Sequence, residues 1–118
     1  MKDFLLRIFI SFAAFVLLGV SSYGQPAGTL FGSTGAANQL ITINTTTGLG
    51  TLVAPITGTA GNVTEIEFRN DIVLFGSTGG GNAEIVTINP TTGVATLVGL
   101  HPFGAVNGLD FDAAGTLL

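Results

Sequence analysis

Carboxylates are the most prominent of the few residues in this chain that could do chemistry. Glu65 and Glu67 are two residues apart, and so are Asp110 and Asp112. Because side chains alternate along a strand, each pair would lie on one face of a strand. Paired carboxylates can bind a hard cation or share a proton. We favour a solvated outer face, because a cation such as Ca²⁺ takes about six to eight oxygen ligands.

The single histidine, His101, has no cysteine and no second histidine with which to share a transition metal. A nucleophile set could be written from Ser33 or Ser77 with His101 and Asp110. The sequence lacks the Gly-x-Ser-x-Gly turn that would support such a set. We therefore expect no catalytic, cofactor-binding or metal-binding residues and no cofactor, and we do not expect an enzyme.

Two short motifs carry less weight. Residues 79–81 are three glycines, but the lysine and the strand–loop–helix context of a phosphate loop are missing, so we interpret them as a turn. Asn44 and Asn62 fit the N-glycosylation pattern, which matters only if a eukaryote makes the protein.

The balance of charge excludes several classes of partner. Residues 25–118 contain one arginine, no lysine and six acidic side chains. Binding to nucleic acid or to anionic lipid requires a basic patch, and this segment cannot build one. We therefore expect no nucleic-acid partner and no membrane association beyond targeting. Since the chain has no cysteine, stability must come from burial and backbone pairing.

Residues 1–24 have the pattern of a signal peptide. Lys2 and Arg7 give a basic start, residues 8–20 are uncharged and mostly apolar, and small residues precede a cleavage point before Gln25. The apolar run is shorter than the roughly 20 residues that span a membrane, which favours a cleaved signal over an anchor. We expect the product to be secreted, periplasmic or on the cell surface.

An internal repeat dominates the rest of the chain. The hexapeptide Leu-Phe-Gly-Ser-Thr-Gly at residues 30–35 recurs at residues 74–79, 44 positions later. Asn38 recurs as Asn82 at the same offset. After a one-residue slip, three tripeptides recur in order: Thr-Ile-Asn, Thr-Thr-Gly and Thr-Leu-Val. A regular period of this length is typical of repeat architectures.

Local patterns within each copy indicate strands and hairpin turns. Residues 39–44 alternate with a period of two, as a strand does. Residues 44–48 and 89–93 share the form Asn-x-Thr-Thr-Gly, in which the Asn side chain accepts a backbone bond and the Gly supplies a positive φ. Helix is disfavoured because threonine and glycine are poor helix formers.

The sequence thus predicts a helix over residues 3–21, then eight or nine short antiparallel strands, with no long helix in residues 29–118. Ile66 and Phe68 should face inward, and Glu65 and Glu67 outward. The strands predicted from the first copy are 29–34, 39–44, 49–53 and 63–68, and the last has its counterpart at 106–111. The predicted core comprises Leu30, Ile41, Ile43, Leu52, Ile66 and Phe68 with their second-copy counterparts. Phenylalanines 31, 68, 75, 103 and 111 are also expected to pack in the core rather than to stack on a ligand.

Four strands in about 44 residues is the period of a β-propeller blade. The segments Leu-Phe-Gly, Thr-Ile-Asn-Pro-Thr-Thr-Gly and Gly-Leu-Asp-Phe-Asp resemble blades of secreted bacterial propellers of the WD-like, NHL-like and YVTN-like group, over residues 29–118. The Gly-His and Trp-Asp marks of true WD repeats are absent. The resemblance implies an all-β fold of antiparallel four-stranded blades, with repeats at 25–71 and 72–118 and the start of a third.

Two copies are fewer than the four to eight blades of a propeller. Three interpretations follow. The chain is an incomplete propeller, a fragment of a longer one, which we favour; several copies close a ring by self-assembly; or the pair folds alone as a small stack of sheets.

The resemblance implies function only at a coarse level, since propellers share blades and not activities. We expect a binding module whose partner is a protein, peptide or glycan that the sequence does not name. A structural or surface-display repeat without a defined ligand is the alternative, and a propeller enzyme is the less favoured one.

Overall fold

The computed structural model shows an all-β chain. The residues it describes are 28–70, 72–80, 83–104 and 106–118. These ranges contain no helix, and therefore none long and apolar enough to cross a membrane. The predicted signal peptide at 1–24, with its helix at 3–21, lies outside the described residues.

Seven strands form two antiparallel sheets. The first sheet, in the order β1-β2-β3, contains β1 (Leu30–Thr34), β2 (Gln39–Ile43) and β3 (Gly50–Pro55). The second sheet, in the order β4-β5-β6-β7, contains β4 (Val63–Arg69), β5 (Val73–Thr78), β6 (Glu84–Ile88) and β7 (Ala95–Leu100). The fourth strand of the first sequence copy therefore begins the second sheet. The first sheet ends at Pro55, whereas the sequence pattern places the boundary between the two repeats after residue 71.

The two sheets share the same irregularity in their strand pairing. Leu40 pairs with Ala54, and the register then shifts before Ile41. In the second sheet Ile85 pairs with Gly99, and the register shifts before Val86. A bulge at the same place in both sheets shows that the repeat extends to the backbone geometry.

The predicted hairpin turns are confirmed. Asn44 Oδ1 accepts hydrogen bonds from the backbone N–H groups of Thr46 and Thr47 at 2.9 and 3.0 Å. The second copy repeats both bonds at Asn89 with the same distances. Gly48 and Gly93 close the two turns at φ of 73° and 72°.

Each sheet has two faces, which we call front and back. The front face carries Leu30, Ile41 and Ile43 in the first sheet, and Leu74, Val86 and Ile88 in the second. The back face carries Phe31 and Leu40 in the first sheet, and Phe75 and Ile85 in the second. The front of the second sheet packs on the back of the first, forming one apolar core. Across this interface Phe31 meets Phe68 edge to face, with ring centroids 5.5 Å apart.

Burial differs between the two copies. As predicted, Leu74, Val86 and Ile88 are buried. The prediction is wrong for Leu30, because no sheet covers the front of the first sheet among the described residues. It is also wrong for Leu52 and its counterpart Leu97, 55% and 52% exposed, because both lie on the last strand of their sheet.

The strand expected at residues 106–111 is absent, and the count is seven rather than eight or nine within the described ranges. This segment forms only an isolated bridge between Phe111 and Leu117. A strand needs a paired neighbour to satisfy its backbone groups, and no long partner lies beside it in the part of the chain that the structure describes. Phe111 nevertheless packs on Phe75 at 5.1 Å between ring centroids, as Phe68 does on Phe31.

Candidate functional site

The first acidic pair lies on β4. This strand pairs with β5, which contributes Phe75 to the back face of the second sheet. Glu65 pairs with Ser77 and Glu67 with Phe75. The Arg69 guanidinium lies 5.0 Å from the centroid of the Phe75 ring, within cation–π range. Within the described ranges, no group of three or more acidic, histidine or cysteine side chains is placed to hold a metal.

The second acidic pair shapes its own chain segment. Asp112 Oδ1 accepts hydrogen bonds from the backbone N–H groups of Ala114 and Thr116 at 2.9 and 2.8 Å. Asp110 Oδ1 accepts one from the N–H of Phe111 at 2.8 Å. The bond from Ala114 to Asp112 is typical of an Asx turn, whereas Asp110 bonds to the residue that follows it. Both carboxylates thus make local backbone contacts.

The residues of the hypothetical nucleophile set are not joined by hydrogen bonds. Ser77 is fully buried, and its hydroxyl donates to the backbone carbonyl of Val106 at 3.3 Å. Both ring nitrogens of His101 are enclosed, with no hydrogen-bond partner among the described residues. Neither Ser33, Ser77 nor Asp110 therefore polarises the imidazole in this structure.

A pocket of about 330 Å³ lies beside the loop that follows β7. Residues 100–104 line it together with Gly80 and Ala83. The rings of His101 and Phe103 stack at 6.4 Å between centroids with an interplanar angle of 26°. Phe103 is 68% exposed, which is unusual for a phenylalanine and makes its ring a candidate contact surface.

In the first copy, an asparagine holds the equivalent connection in place. The Asn38 amide donates to the Ile56 carbonyl at 3.1 Å and to Thr59 Oγ1 at 3.3 Å. Its Oδ1 accepts from the Val63 backbone N–H at 2.8 Å. One side chain thus fixes the path of the chain from β3 to β4.

The second copy lacks this asparagine. The bond from the His101 N–H to the Ala83 carbonyl is the counterpart of the bond from the Ile56 N–H to the Asn38 carbonyl. Ala83, and not the predicted Asn82, therefore takes the place of Asn38; Asn82 itself lies outside the described residues. A methyl group cannot make the three hydrogen bonds of an amide, which is why the second connection is free to follow another path.

His101 occupies the position that Ile56 fills with an apolar, almost fully buried side chain. A polar side chain enclosed without partners costs about 1–3 kcal/mol of stability. The second copy thus has histidine where the first copy has a buried isoleucine, so this loop does not pack as its counterpart in the first copy does. Unexplained buried polar groups of this kind are expected at functional sites.

Sequence reasoning missed this site. It weighed His101 only as a metal ligand or base, and it placed Phe103 in the core, which the exposure of that ring shows to be wrong. The sequence did contain one indication of it: the two copies of the repeat stop matching at this loop. Residues 99–104 read Gly-Leu-His-Pro-Phe-Gly, and the aligned first-copy residues are Ala-Pro-Ile-Thr-Gly-Thr.

Comparison with known proteins adds no relative. No family model, no curated protein and no solved structure matches this chain. The basis for a function is therefore the stacked sheets and the loop at which the repeat breaks.

Proposed function

We propose that this chain is a secreted β-propeller-type repeat module that binds a protein, peptide or glycan at the pocket beside Phe103. The observation that carries the proposal is the exposed aromatic ring on the loop where the second copy departs from the first. Export follows from the signal-peptide pattern of residues 1–24.

The stacking of the sheets supports blades of a propeller type. Each sheet is an antiparallel meander, and the front of one packs on the back of the previous one. The contact of Phe111 with Phe75 begins the same step a second time. Radial repetition of such sheets is the architecture of propellers, in which connecting loops provide the binding surfaces.

The chemistry of the pocket favours a ligand with a flat or apolar face. Phe103 offers its ring, and Leu100, the last residue of β7, adds a second exposed apolar side chain to the lining of the pocket. A phenyl ring stacks well on a sugar face or on an aromatic or aliphatic side chain. Since the chain is acidic, with a formal net charge of −4, anionic ligands are disfavoured.

The test is a binding screen of the full chain on glycan and peptide arrays, repeated with Phe103→Ala. We expect the dissociation constant of any ligand found to rise about tenfold or more, as it does when a central aromatic contact is removed. Leu49→Ala is the matched control, because Leu49 is equally exposed but lies in the β2–β3 turn of the other sheet. Equal binding by both variants would reject the pocket.

A structural or surface-display repeat without a ligand is the second candidate. The exposed front face of the first sheet favours it, because such a face suits packing against another sheet more than small-molecule binding. An enzyme is favoured less, since the described acids, serines and His101 form no connected set. A wild-type chain that binds nothing on the arrays would favour the structural candidate.

A further inference from the structure

We propose that copies of this chain stack head to tail. The front face of the first sheet of one copy packs on the back face of the second sheet of another copy. This goes beyond ligand binding at the Phe103 pocket and does not depend on it. The interface that joins the two sheets within one chain supplies the template.

Front-face residues that match by position differ in burial only because of what covers them. Leu74 is 1% exposed in the second sheet, where the first sheet packs on it. Its counterpart Leu30 is 47% exposed. Ile41 and Ile43 are likewise only partly buried, whereas their counterparts Val86 and Ile88 are buried. Among the described residues, the first sheet thus presents the corresponding apolar surface with no sheet packed on it.

The back of the second sheet shows the converse difference. Leu40 is fully buried on the back of the first sheet, where the second sheet covers it. Ile85, its counterpart by strand pairing, is only partly buried. Phe75 and Ser77 on the same face are buried, because Phe111 packs on Phe75 and the Ser77 hydroxyl bonds to Val106. Among the described residues, one end of the stack therefore carries an uncovered front face, and the other a back face that residues 106–111 cover in part. Complementary surfaces at opposite ends make a heterologous contact, which generates rings or filaments.

A strand is also available to complete the first sheet. β1 is an edge strand, whereas its counterpart β5 pairs with β4. Residues 106–111 are the counterpart of β4, and in the described residues they form only one bridge. We assume that residues 106–111 of one copy pair with β1 of the next copy in the same register in which β4 pairs with β5. Leu109 then lies opposite Gly32, and Gly108 opposite Ser33. Pairing in trans would satisfy the edge groups of both segments.

The first experiment measures mass in solution by sedimentation velocity over a range of concentrations, on the 118-residue chain produced by export from a bacterial host. We expect the wild type to form oligomers and Leu30→Glu to raise the dissociation constant about tenfold or more, since it places a charge in an apolar contact. Leu52→Glu is the matched control. Leu52 lies on the same face, but its counterpart Leu97 stays exposed even in the covered sheet.

The second experiment tests the register with single-cysteine variants, for which the absence of native cysteine leaves a clean background. Ser33→Cys and Gly108→Cys chains are mixed and oxidised. A disulfide-linked dimer should form in the mixture and not in either variant alone, because the two positions meet only between different copies in a head-to-tail stack.

Three results would overturn the proposal. The first is a wild type that remains monomeric at every concentration. The second is dissociation by Leu52→Glu to the same extent as by Leu30→Glu, which would indicate a general loss of folding rather than a specific face. The third is equal cross-linking in the mixture and in the single variants. Ligand binding at Phe103 enters none of these measurements, so the two proposals fail independently.

Discussion

At the scale of single residues, one substitution within the repeat changes what a loop can do. Asn38 makes three hydrogen bonds that hold the first connection against the sheet edge. Ala83 replaces it in the second copy, and the chain departs into the loop of His101 and Phe103. The position that isoleucine fills in the first copy is then occupied by an imidazole that has no hydrogen-bond partner in the part of the chain that the structure describes.

Restoring the repeat at this position should stabilise the fold. We expect His101→Ile to raise the free energy of unfolding by about 1 kcal/mol, because it removes two unpaired polar atoms from an enclosed site. The reciprocal change, Ile56→His, should lower it by at least as much. Urea denaturation of the three proteins measures both effects. Destabilisation by His101→Ile would show that the imidazole contributes a favourable contact to the folded state.

At the scale of elements, the hairpin turns are identical but their surroundings are not. Gly48 and Gly93 close turns with the same φ and the same Asn-mediated hydrogen bonds. A Cβ at Gly48 would meet open space, whereas one at Gly93 would overlap the backbone carbonyl of Pro55. The chain between the sheets runs beside the second turn, where the Thr57 N–H bonds to the Gly93 carbonyl at 3.1 Å.

Alanine substitutions at these two glycines distinguish the cost of the turn conformation from the cost of disturbing the contact with the other sheet. Both Gly48→Ala and Gly93→Ala should lose about 1–2 kcal/mol for placing a Cβ at positive φ. Gly93→Ala should lose at least about 1 kcal/mol more, because the Pro55 carbonyl must move to make room. The difference between their free energies of unfolding is the quantity to measure. Equal losses would mean that the connection does not pack on the turn in solution.

At the scale of the whole molecule, the described chain is a stack with one complete step and the start of the next. Phe68 on Phe31 joins the two sheets, and Phe111 on Phe75 repeats that contact with a segment that is not a strand. The first contact belongs to the core, whereas the second holds only a segment with a single bridge.

The two aromatic contacts should therefore differ in their contribution to stability. We expect Phe68→Ala to lower the free energy of unfolding by about 2–4 kcal/mol, somewhat below the loss for a fully buried ring. Phe111→Ala should cost about 1 kcal/mol and should raise amide exchange mainly in residues 106–118. Exchange that rises equally across β1 to β7 in the second variant would contradict the view of a locally attached segment.

The sequence predicted those features that local chemistry controls. The alternation of residues 39–44, the Asn-x-Thr-Thr-Gly turns and the inward placement of Ile66 and Phe68 depend on neighbours within one hairpin or strand. Such features can be read without knowing the rest of the fold, because backbone preferences and side-chain alternation act over a few residues. The all-β class and the repeated unit followed from the same patterns.

Which copy of a repeated residue is buried was decided only by the tertiary structure. Leu30 and Leu74 are followed by the same five residues, yet one is nearly half exposed and the other buried, because among the described residues only the second sheet has a sheet packed on its front. Residues 106–111 match β4 in pattern but lack a strand to pair with among the described residues. The exposure of Phe103 likewise depends on the loss of a side-chain bridge that residue patterns alone do not reveal. Burial and pairing are properties of neighbours distant in the chain, and a repeat in sequence fixes the unit but not which of its surfaces are covered.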